Sequence, residues 1–497
     1  MPFSITEIRD RAKELKRAIA FERYSSQAGL KERLPSEKLY KQHQFLLAPG
    51  VLPAIQRRLA AASWDERRRL TALFNWVGCQ RIEAQLAPLE DELYSWESVQ
   101  TISLADREIP LQRVSATIMR TDQRSKRLAW ESVRDRRAEE ATALRLDILH
   151  REREAVGQLG LGSYIASWER LTGLNLRGIK QHAHDLLNHT DSAYRQMFQH
   201  EVNDRIEVQT EPATRADAQW LIGMRWLAQP FAISPVLTGL RRDLEKMKLP
   251  LPYDGTVRID LDRRRFKRVQ SFCSGLQIPG NIVAVIFPVG GWVDVRSLLY
   301  EIGHALHFAY TSPDLEWEER NLGDTAVTDS FAYLFESLTL DRAWIESITG
   351  LSTTALDEYM SLASFLQLYR IRQQAAQFLW EMELATSENP GDLAGRYGEI
   401  LSETTGFHYH PVTYIEDINR GFSAAQQIRG RMLSAVMLDS LNDRFGQDWY
   451  HDPAAGKFLK EIFSAGQRDD ATQLAQQLGG QNLTLGPLLR QIDKWPG

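Results

Sequence analysis

Apolar residues recur at helical spacing through most of this chain. Between residues 126 and 159, apolar side chains stand three or four positions apart among many charges, which predicts a long amphipathic helix. Residues 192–201, 217–228 and 361–386 follow the same pattern. Glycine and proline rarely interrupt these segments, and no period of 20 to 50 residues repeats. The pattern therefore predicts a mainly α-helical protein that is not a solenoid.

One region departs from the helical pattern. Residues 249–255 are rich in turn-forming residues, and residues 256–261 alternate like a strand. Residues 281–287 form a β-branched apolar run between proline and glycine residues, which predicts a second strand. This strand is either a plain core strand or an edge that pairs with a peptide backbone. A helix follows, with Asp294 as its expected N-cap.

That helix carries the sequence Tyr-Glu-Ile-Gly-His-Ala-Leu-His at residues 300–307. In the zinc-peptidase motif H-E-x-x-H, two histidines four residues apart hold zinc and the intervening glutamate activates a water. Glu301 and His304 occupy two of these three positions, and Tyr300 occupies that of the first histidine. A neutral phenol with a pKa near 10 is a poor zinc ligand. Tyr300 therefore decides whether this chain can be a zinc enzyme.

The composition excludes several other classes of function. The chain has 497 residues, of which 43% are hydrophobic and 25% charged, with a net charge of -5. Such a balance does not favour nucleic acid or an anionic membrane as partner. The charged N-terminus lacks the apolar core of a signal peptide, and no apolar run approaches the roughly 18 residues of a membrane helix. Two distant cysteines form no disulfide framework, so we expect a cytoplasmic protein.

Residues 301–307 resemble half of the motif H-E-x-G-H-x-x-H of the thimet oligopeptidase and oligoendopeptidase F family. The similarity is most specific over residues 249–340, and its further points are Pro252-Tyr253-Asp254, Phe272-Cys273 and the lead-in from Asp294 to Leu298. The resemblance implies a mainly α, gluzincin-type helical bowl with a small β-sheet beside the motif helix and a deep central channel. We expect an N-terminal helical lobe at residues 1–200 and a peptidase-like lobe at 201–497.

The resemblance also implies a third zinc ligand and oxyanion donors, and both are altered here. Asp329, 25 residues after His304, occupies the place of the family's glutamate ligand, and Glu336 that of its second glutamate. Aspartate keeps the oxygen donor on a shorter stem. Residues 421–427 align with the family's tyrosine-rich loop but contain no tyrosine. A slip of this alignment would bring Tyr409 or Tyr414 into that role.

Each candidate residue therefore has a chemical and a structural interpretation. We expect Tyr300 to fill the vacated zinc space and to hydrogen-bond His304 or Asp329. Glu301 is a vestigial general base, while His304 and Asp329 form at most a weak metal site. We therefore expect no cofactor, or zinc if the altered site still binds a metal ion. Packing beside the site is expected for His307 and Glu336. The resemblance places four further residues at the substrate channel: His408, His410, Tyr414 and Ser423.

These changes favour a pseudopeptidase that binds a peptide or protein segment in the former channel. One alternative is an active metallopeptidase that hydrolyses short peptides with a Tyr300, His304 and Asp329 metal site. Another is metal-free acid–base chemistry by Glu301 and His304 on a small molecule. The expected partners are peptides, protein segments or small molecules, with no nucleic acid and no membrane.

Overall fold

The computed structural model describes residues 3–105, 107–206, 212–252, 254–479 and 482–495. Tyr253, which belongs to the upstream part of the family resemblance, lies outside the described residues. Within the described ranges, no helix combines the length and the apolar character needed to cross a membrane.

The described residues form 22 α-helices and two small sheets, as the helical periodicity predicts. The helices are α1 (Ile5–Gln27), α2 (Ser36–Gln42), α3 (Gln44–Leu47), α4 (Val51–Ala60), α5 (Trp64–Val99), α6 (Val114–Met119), α7 (Arg124–Glu140), α8 (Thr142–Gly157), α9 (Tyr164–Thr172), α10 (Leu176–Arg205), α11 (Arg215–Gly223), α12 (Ile233–Lys246), α13 (Trp292–Tyr310), α14 (Trp317–Asn321), α15 (Thr325–Glu336), α16 (Arg342–Thr349), α17 (Thr353–Thr386), α18 (Ala394–Thr405), α19 (Ser423–Phe445), α20 (Pro453–Ser464), α21 (Ala471–Gly479) and α22 (Gly486–Ile492). The strands are β1 (Thr101–Leu104), β2 (Arg107–Pro110), β3 (Val257–Asp260), β4 (Phe272–Gln277) and β5 (Asn281–Val285).

The helix expected over residues 126–159 is in fact two helices, α7 and α8, with Ala141 between them. Both helices carry the expected apolar stripe, including the buried Trp130 and Ile148. A change of direction at a single residue leaves the spacing of apolar residues almost unchanged, so periodicity alone does not show it.

The sheet beside the motif helix has the strand order β3-β5-β4. β5 pairs in parallel with β3 and antiparallel with β4, so it is a central strand. Residues 282–285 are accordingly buried, and the interpretation of β5 as a plain core strand is correct. The two edges of this sheet are β3 and β4, and β4 is a strand that we did not predict.

The described residues form four hydrophobic clusters, two of which contain most of the buried apolar side chains. A small core joins α1 to α5 around Leu15, Ile55 and Leu73, and a much larger one runs from Ile82 to Ile492. The larger core includes the buried faces of α13, α15, α17 and α19, which carry the candidate site. The expected division into residues 1–200 and 201–497 remains a prediction.

The motif helix α13 begins immediately after the glycine turn that follows β5. Its N-cap is Gly291, not Asp294 as expected. The Asp294 carboxylate instead lies in the first turn and accepts hydrogen bonds from the backbone N–H groups of Val289 and Gly290, each at 2.8 Å. This contact fixes the turn between the sheet and α13, and so sets where the motif residues lie.

Candidate functional site

The candidate site lies where α13 crosses α15. Gly303 permits this close approach, because a Cβ there would lie 2.4 Å from the carbonyl oxygen of Phe331 and 2.6 Å from the Cα of Ala332. The crossing brings Tyr300, Glu301 and His304 of α13 against Asp329 and Glu336 of α15. The sequence analysis grouped these residues, and the structure places them together.

A third helix, α19, covers α15 at the same level. A Cβ on Gly430 would lie 2.9 Å from the Cβ of Asp329 and 3.3 Å from the ring of Tyr333. The site is therefore enclosed by three closely packed helices.

Tyr300 occupies space beside His304, as expected. Its ring packs edge-on against His304 with centroids 5.0 Å apart, and against Tyr333 at 5.2 Å. Burial raises the pKa of Tyr300 well above its usual value, and the neighbouring Tyr333 and acidic groups add to this effect. The phenol is therefore neutral at physiological pH and is poorly suited to bind a metal ion.

His304 and Asp329 are the two candidate metal ligands that face each other. The distance from His304 Nε2 to Asp329 Oδ1 is 3.8 Å, which is too long for a hydrogen bond. Burial, and to a smaller extent the neighbouring His307, lowers the pKa of His304 to about 3. For Asp329, burial and then Asp324 raise the pKa to about 7, while Arg431 and the Tyr300 hydroxyl act in the opposite direction.

Glu301 is a buried residue of α13. Its side chain is buried at 4% exposure. Burial raises the pKa of Glu301 to about 8, and Arg296 lowers it only in part. At neutral pH this carboxyl is therefore mostly protonated, which removes its ability to take a proton from water.

Unlike Glu301, whose pKa is raised, Glu336 has a lowered pKa and a negatively charged carboxylate. Burial raises its pKa, but Arg296, Arg431 and Arg370 together hold that pKa below its usual value. Arg296 Nη1 donates to Glu336 Oε1 at 3.1 Å. Glu336 is thus the anion of a buried cluster of arginines beside the metal-type residues.

His307 packs beside the site rather than within it. It is fully buried, and its Nε2 donates to the carbonyl oxygen of Gly466 at 3.1 Å. The ring also contacts Phe331, at a centroid distance of 4.7 Å. This placement agrees with the packing role expected for His307.

The donor set does not match a catalytic zinc centre, which uses three protein ligands from histidine, cysteine, aspartate and glutamate. Throughout the part of the chain that the structure describes, no three such side chains are grouped to hold a metal ion. His304 and Asp329 supply two donors, and the third position is filled by the neutral Tyr300. The residues present therefore do not fit the zinc site of the H-E-x-x-H motif that they resemble.

A cavity of about 1180 Å³ lies next to the site. Its walls come from α1, α5, β4, α13, α15 and α19, and Ser423, Thr328 and Phe308 are among its lining residues. Four consecutive residues of the edge strand β4, Phe272 to Gly275, also line it. We call this cavity the channel; Ser423, one of the residues that the resemblance implies at a substrate channel, lines it.

The other residues expected at the channel do not line this cavity. His408 and His410 are exposed; the backbone of His408 bridges to Thr214, and His410 Nδ1 accepts from the N–H of Val412. Tyr414 is buried against Trp380, with ring centroids 6.2 Å apart.

Tyr409, the other tyrosine of this loop, is fully buried and does not line the cavity either. Its hydroxyl shares a hydrogen bond of 2.7 Å with that of Tyr369. The tyrosines of residues 408–414 therefore lie within the protein core, away from the channel wall.

An ion pair that no sequence pattern predicts lies at the channel wall. Arg429 of α19 donates to both carboxylate oxygens of Asp324, at 3.0 and 2.7 Å. The same carboxylate accepts from the N–H of Ala326 and caps α15. The two residues are 105 positions apart, and no local pattern in the sequence signals such a contact.

Comparison with known proteins identifies the fold. No family model matches the chain, and no curated protein matches it. Among solved structures, the Trypanosoma cruzi metallocarboxypeptidase 1 has a TM-score of 0.61 at 12% identity, with 99% of each chain covered. The Pyrococcus furiosus carboxypeptidase has a TM-score of 0.59 at 13% identity, again with 99% of each chain covered. The M32 carboxypeptidase of Deinococcus radiodurans R1 has a TM-score of 0.57 at 14% identity, and 98% of this chain and 97% of that chain are covered.

These identities are low, so the similarity establishes the fold alone. The neighbours are metallopeptidases of the gluzincin-like helical fold, as the residues around His304 predict. A closer relation to the thimet oligopeptidase and oligoendopeptidase F family remains a prediction. Over its whole length, this chain therefore has the helical fold of the M32 carboxypeptidases.

Proposed function

We propose that this protein is a pseudopeptidase that binds a peptide or protein segment in its channel and does not hydrolyse it. The observation that carries the proposal is the contrast between two neighbouring features. The channel has a volume of about 1180 Å³, while the adjacent donor set lacks a third metal ligand. The residues around Glu301 resemble the oligoendopeptidase F motif, and such a protein would be a degenerate relative of that family.

The channel suits an extended peptide. β4 is an edge strand, and the chain from Phe272 to Gly275 lines the cavity. An edge strand offers backbone N–H and C=O groups, which pair with a peptide whatever its sequence. Aromatic side chains of Trp76 and Phe308 add apolar contact area. Because solved structures of this fold include carboxypeptidases, peptides with a free C-terminus are the first to test.

Metal-free acid–base chemistry at Glu301 and His304 is less favoured by the same geometry. Glu301 is 4% exposed, and the side chain of His304 is 13% exposed. A catalytic pair must come within hydrogen-bond reach of its substrate. Since neither side chain lines the cavity, a bound molecule would not reach them without movement of the helices.

The expected setting is the cytoplasm, and the proposed partners are peptides or flexible protein segments. A net charge of -5 does not favour nucleic acid or an anionic membrane. A small molecule in the channel is the other occupant that its size allows.

The test is binding and cleavage of a mixed library of short peptides with free C-termini. We expect saturable binding to the wild-type protein and no new peptide fragments, with or without added zinc. Ser423→Trp, which places a bulky ring in the channel, should weaken binding at least tenfold. Thr354→Trp is the matched control, because Thr354 is exposed on α17 and does not line the channel.

Two results would contradict the proposal. Cleavage that is lost on adding a chelator and on Glu301→Gln would show an active metallopeptidase with an altered site. Equal peptide binding by the Ser423→Trp and Thr354→Trp variants would show that the channel is not the binding site.

A further inference from the structure

We propose that the protein has a second ligand site, for a small carboxylate that carries an apolar body. The site is a cavity of about 590 Å³ enclosed by α15, α17, α19 and α22. It shares no lining residue with the peptide channel. Its volume lies within the range of about 300 to 1,000 Å³ that is usual for small-molecule sites. The proposal does not depend on the peptide-binding function proposed above.

Arg431 of α19 is the group that would bind the carboxylate. This side chain is 4% exposed and lines the cavity. Its Nε donates to Gln374 Oε1 at 2.7 Å, and its Nη1 to the side-chain oxygen of Gln367 at 2.9 Å, with that amide oriented to satisfy both of its neighbours. The guanidinium also lies over the ring of Tyr333, 4.0 Å from the centroid. Its Nη2 has no hydrogen-bond partner within the described residues.

All of these partners of Arg431 are neutral. The nearby carboxylate of Glu336 accepts from Arg296 at 3.1 Å and from the Gln367 amide at 3.3 Å. Within the described residues Arg431 makes no direct ion pair, and the nearby carboxylate of Glu336 is shared with Arg296 and Arg370. A buried guanidinium that shares its anion and keeps an unpaired N–H is costly. A ligand carboxylate at Nη2 would satisfy the donor and compensate the charge in one contact.

The acidic residues at the rim do not form a cation site, since they already have partners. Asp357 pairs with Arg342 at 2.6 Å, and Asp439 pairs with Arg490 at 3.1 Å. The exposed Lys494 lies at the same rim. Asp341, the third acidic residue of the lining, accepts from the N–H of Trp344 and from the Tyr450 hydroxyl. Among the described lining residues, the cations outside the Asp357 and Asp439 pairs are Lys494 and Arg431.

The walls between the rim and Arg431 contain both polar and apolar side chains. Leu438 lies on α19 two helical turns beyond Arg431, so an anion bound at Arg431 would extend past it. The apolar residues that line the cavity are Leu338, Leu340, Met360, Ile371, Leu438, Leu488, Trp449 and Trp495. These apolar residues offer contact area to an alkyl or aryl body attached to the carboxylate that Arg431 would bind.

The test is calorimetric titration of the full-length protein with octanoate, beside 1-octanol and octylamine. The account predicts saturable binding of octanoate, with 1-octanol and octylamine at least tenfold weaker because they lack the anion. Arg431→Gln should weaken octanoate binding at least tenfold. Leu438→Trp should do the same by filling the cavity, and it leaves the buried Arg431 cluster intact if Arg431→Gln fails to fold. Ser423→Trp, in the channel, should leave octanoate binding unchanged.

Three results would overturn this site. The first is that octanoate does not bind at millimolar concentration. The second is that octanoate and 1-octanol bind with equal affinity. The third is that Leu438→Trp leaves octanoate binding unchanged. Loss of octanoate binding in Ser423→Trp would instead place the ligand in the peptide channel.

Discussion

Gly303 is the residue on which the crossing of α13 and α15 depends most directly. In Gly303→Ala, the new methyl group would lie 2.4 Å from the Phe331 carbonyl oxygen, 2.6 Å from the Ala332 Cα and 2.9 Å from the Ala332 nitrogen. All three atoms belong to the backbone of α15, so no side-chain rotation relieves the overlap. The two helices must move apart, and the contacts around Tyr300 and Asp329 must loosen with them.

The expected loss of stability follows from two opposing effects. Forcing an extra methyl group into a closely packed core costs about 3 kcal/mol or more when only backbone surrounds it. Alanine is a better helix former than glycine by about 1 kcal/mol, which offsets part of this cost. We therefore expect Gly303→Ala to lower the free energy of unfolding by about 2 kcal/mol or more.

The measurement is urea unfolding followed by circular dichroism, with Gly395→Ala as the matched control. Gly395 also lies within a helix, α18, but it is exposed and a Cβ there meets no atom within 4 Å. The control should gain about 0.5 to 1 kcal/mol. If Gly303→Ala were as stable as wild type, the close helix crossing described here would be incorrect.

Further predictions concern buried charges. Burial raises the pKa of Glu381 to about 8 from the usual 4.5, although the N–H of Asn419 lowers it in part. The folded state then binds more protons between these pH values, so stability falls as pH rises from about 5 to 9. Glu381→Gln should reduce this loss of stability by a few kcal/mol, as measured by urea unfolding at about pH 5 and about pH 9. An unchanged dependence of stability on pH would refute this prediction. Arg296→Met should lower the free energy of unfolding by about 3 kcal/mol, because it removes the partner of the buried Glu336; a loss below about 1 kcal/mol would contradict this pairing.

The sequence was sufficient to predict the helical class and the small sheet beside the motif helix. Both have local signals: the spacing of apolar residues in helices such as α17, and the β-branched run of β5. β4 was missed because Phe-Cys-Ser-Gly-Leu-Gln has neither clean alternation nor a strong β-forming composition. The N-cap of α13 was misplaced because an aspartate in the first turn and one at the cap produce the same local pattern.

The candidate site was predictable only where its residues belong to one motif. Tyr300, Glu301 and His304 lie on one helix, and the resemblance to the oligopeptidase family implied that Asp329 lies beside them. The arginines that surround Glu336 come from α13, α17 and α19, and their convergence depends on tertiary packing. The position of His408 and His410 outside the channel also depends on tertiary packing, so no local sequence pattern predicts it.

The central claim is that the site beside the channel has lost its zinc-binding capacity while the fold persists. The most direct measurement is the zinc affinity of the apo protein by calorimetry, for wild type and for the double variant Tyr300→His with Asp329→Glu. We predict no tight zinc binding by wild type, and binding of about one zinc per chain by the variant, which regains three ligands. Tight binding of one zinc by wild type, lost on His304→Ala, would contradict the claim.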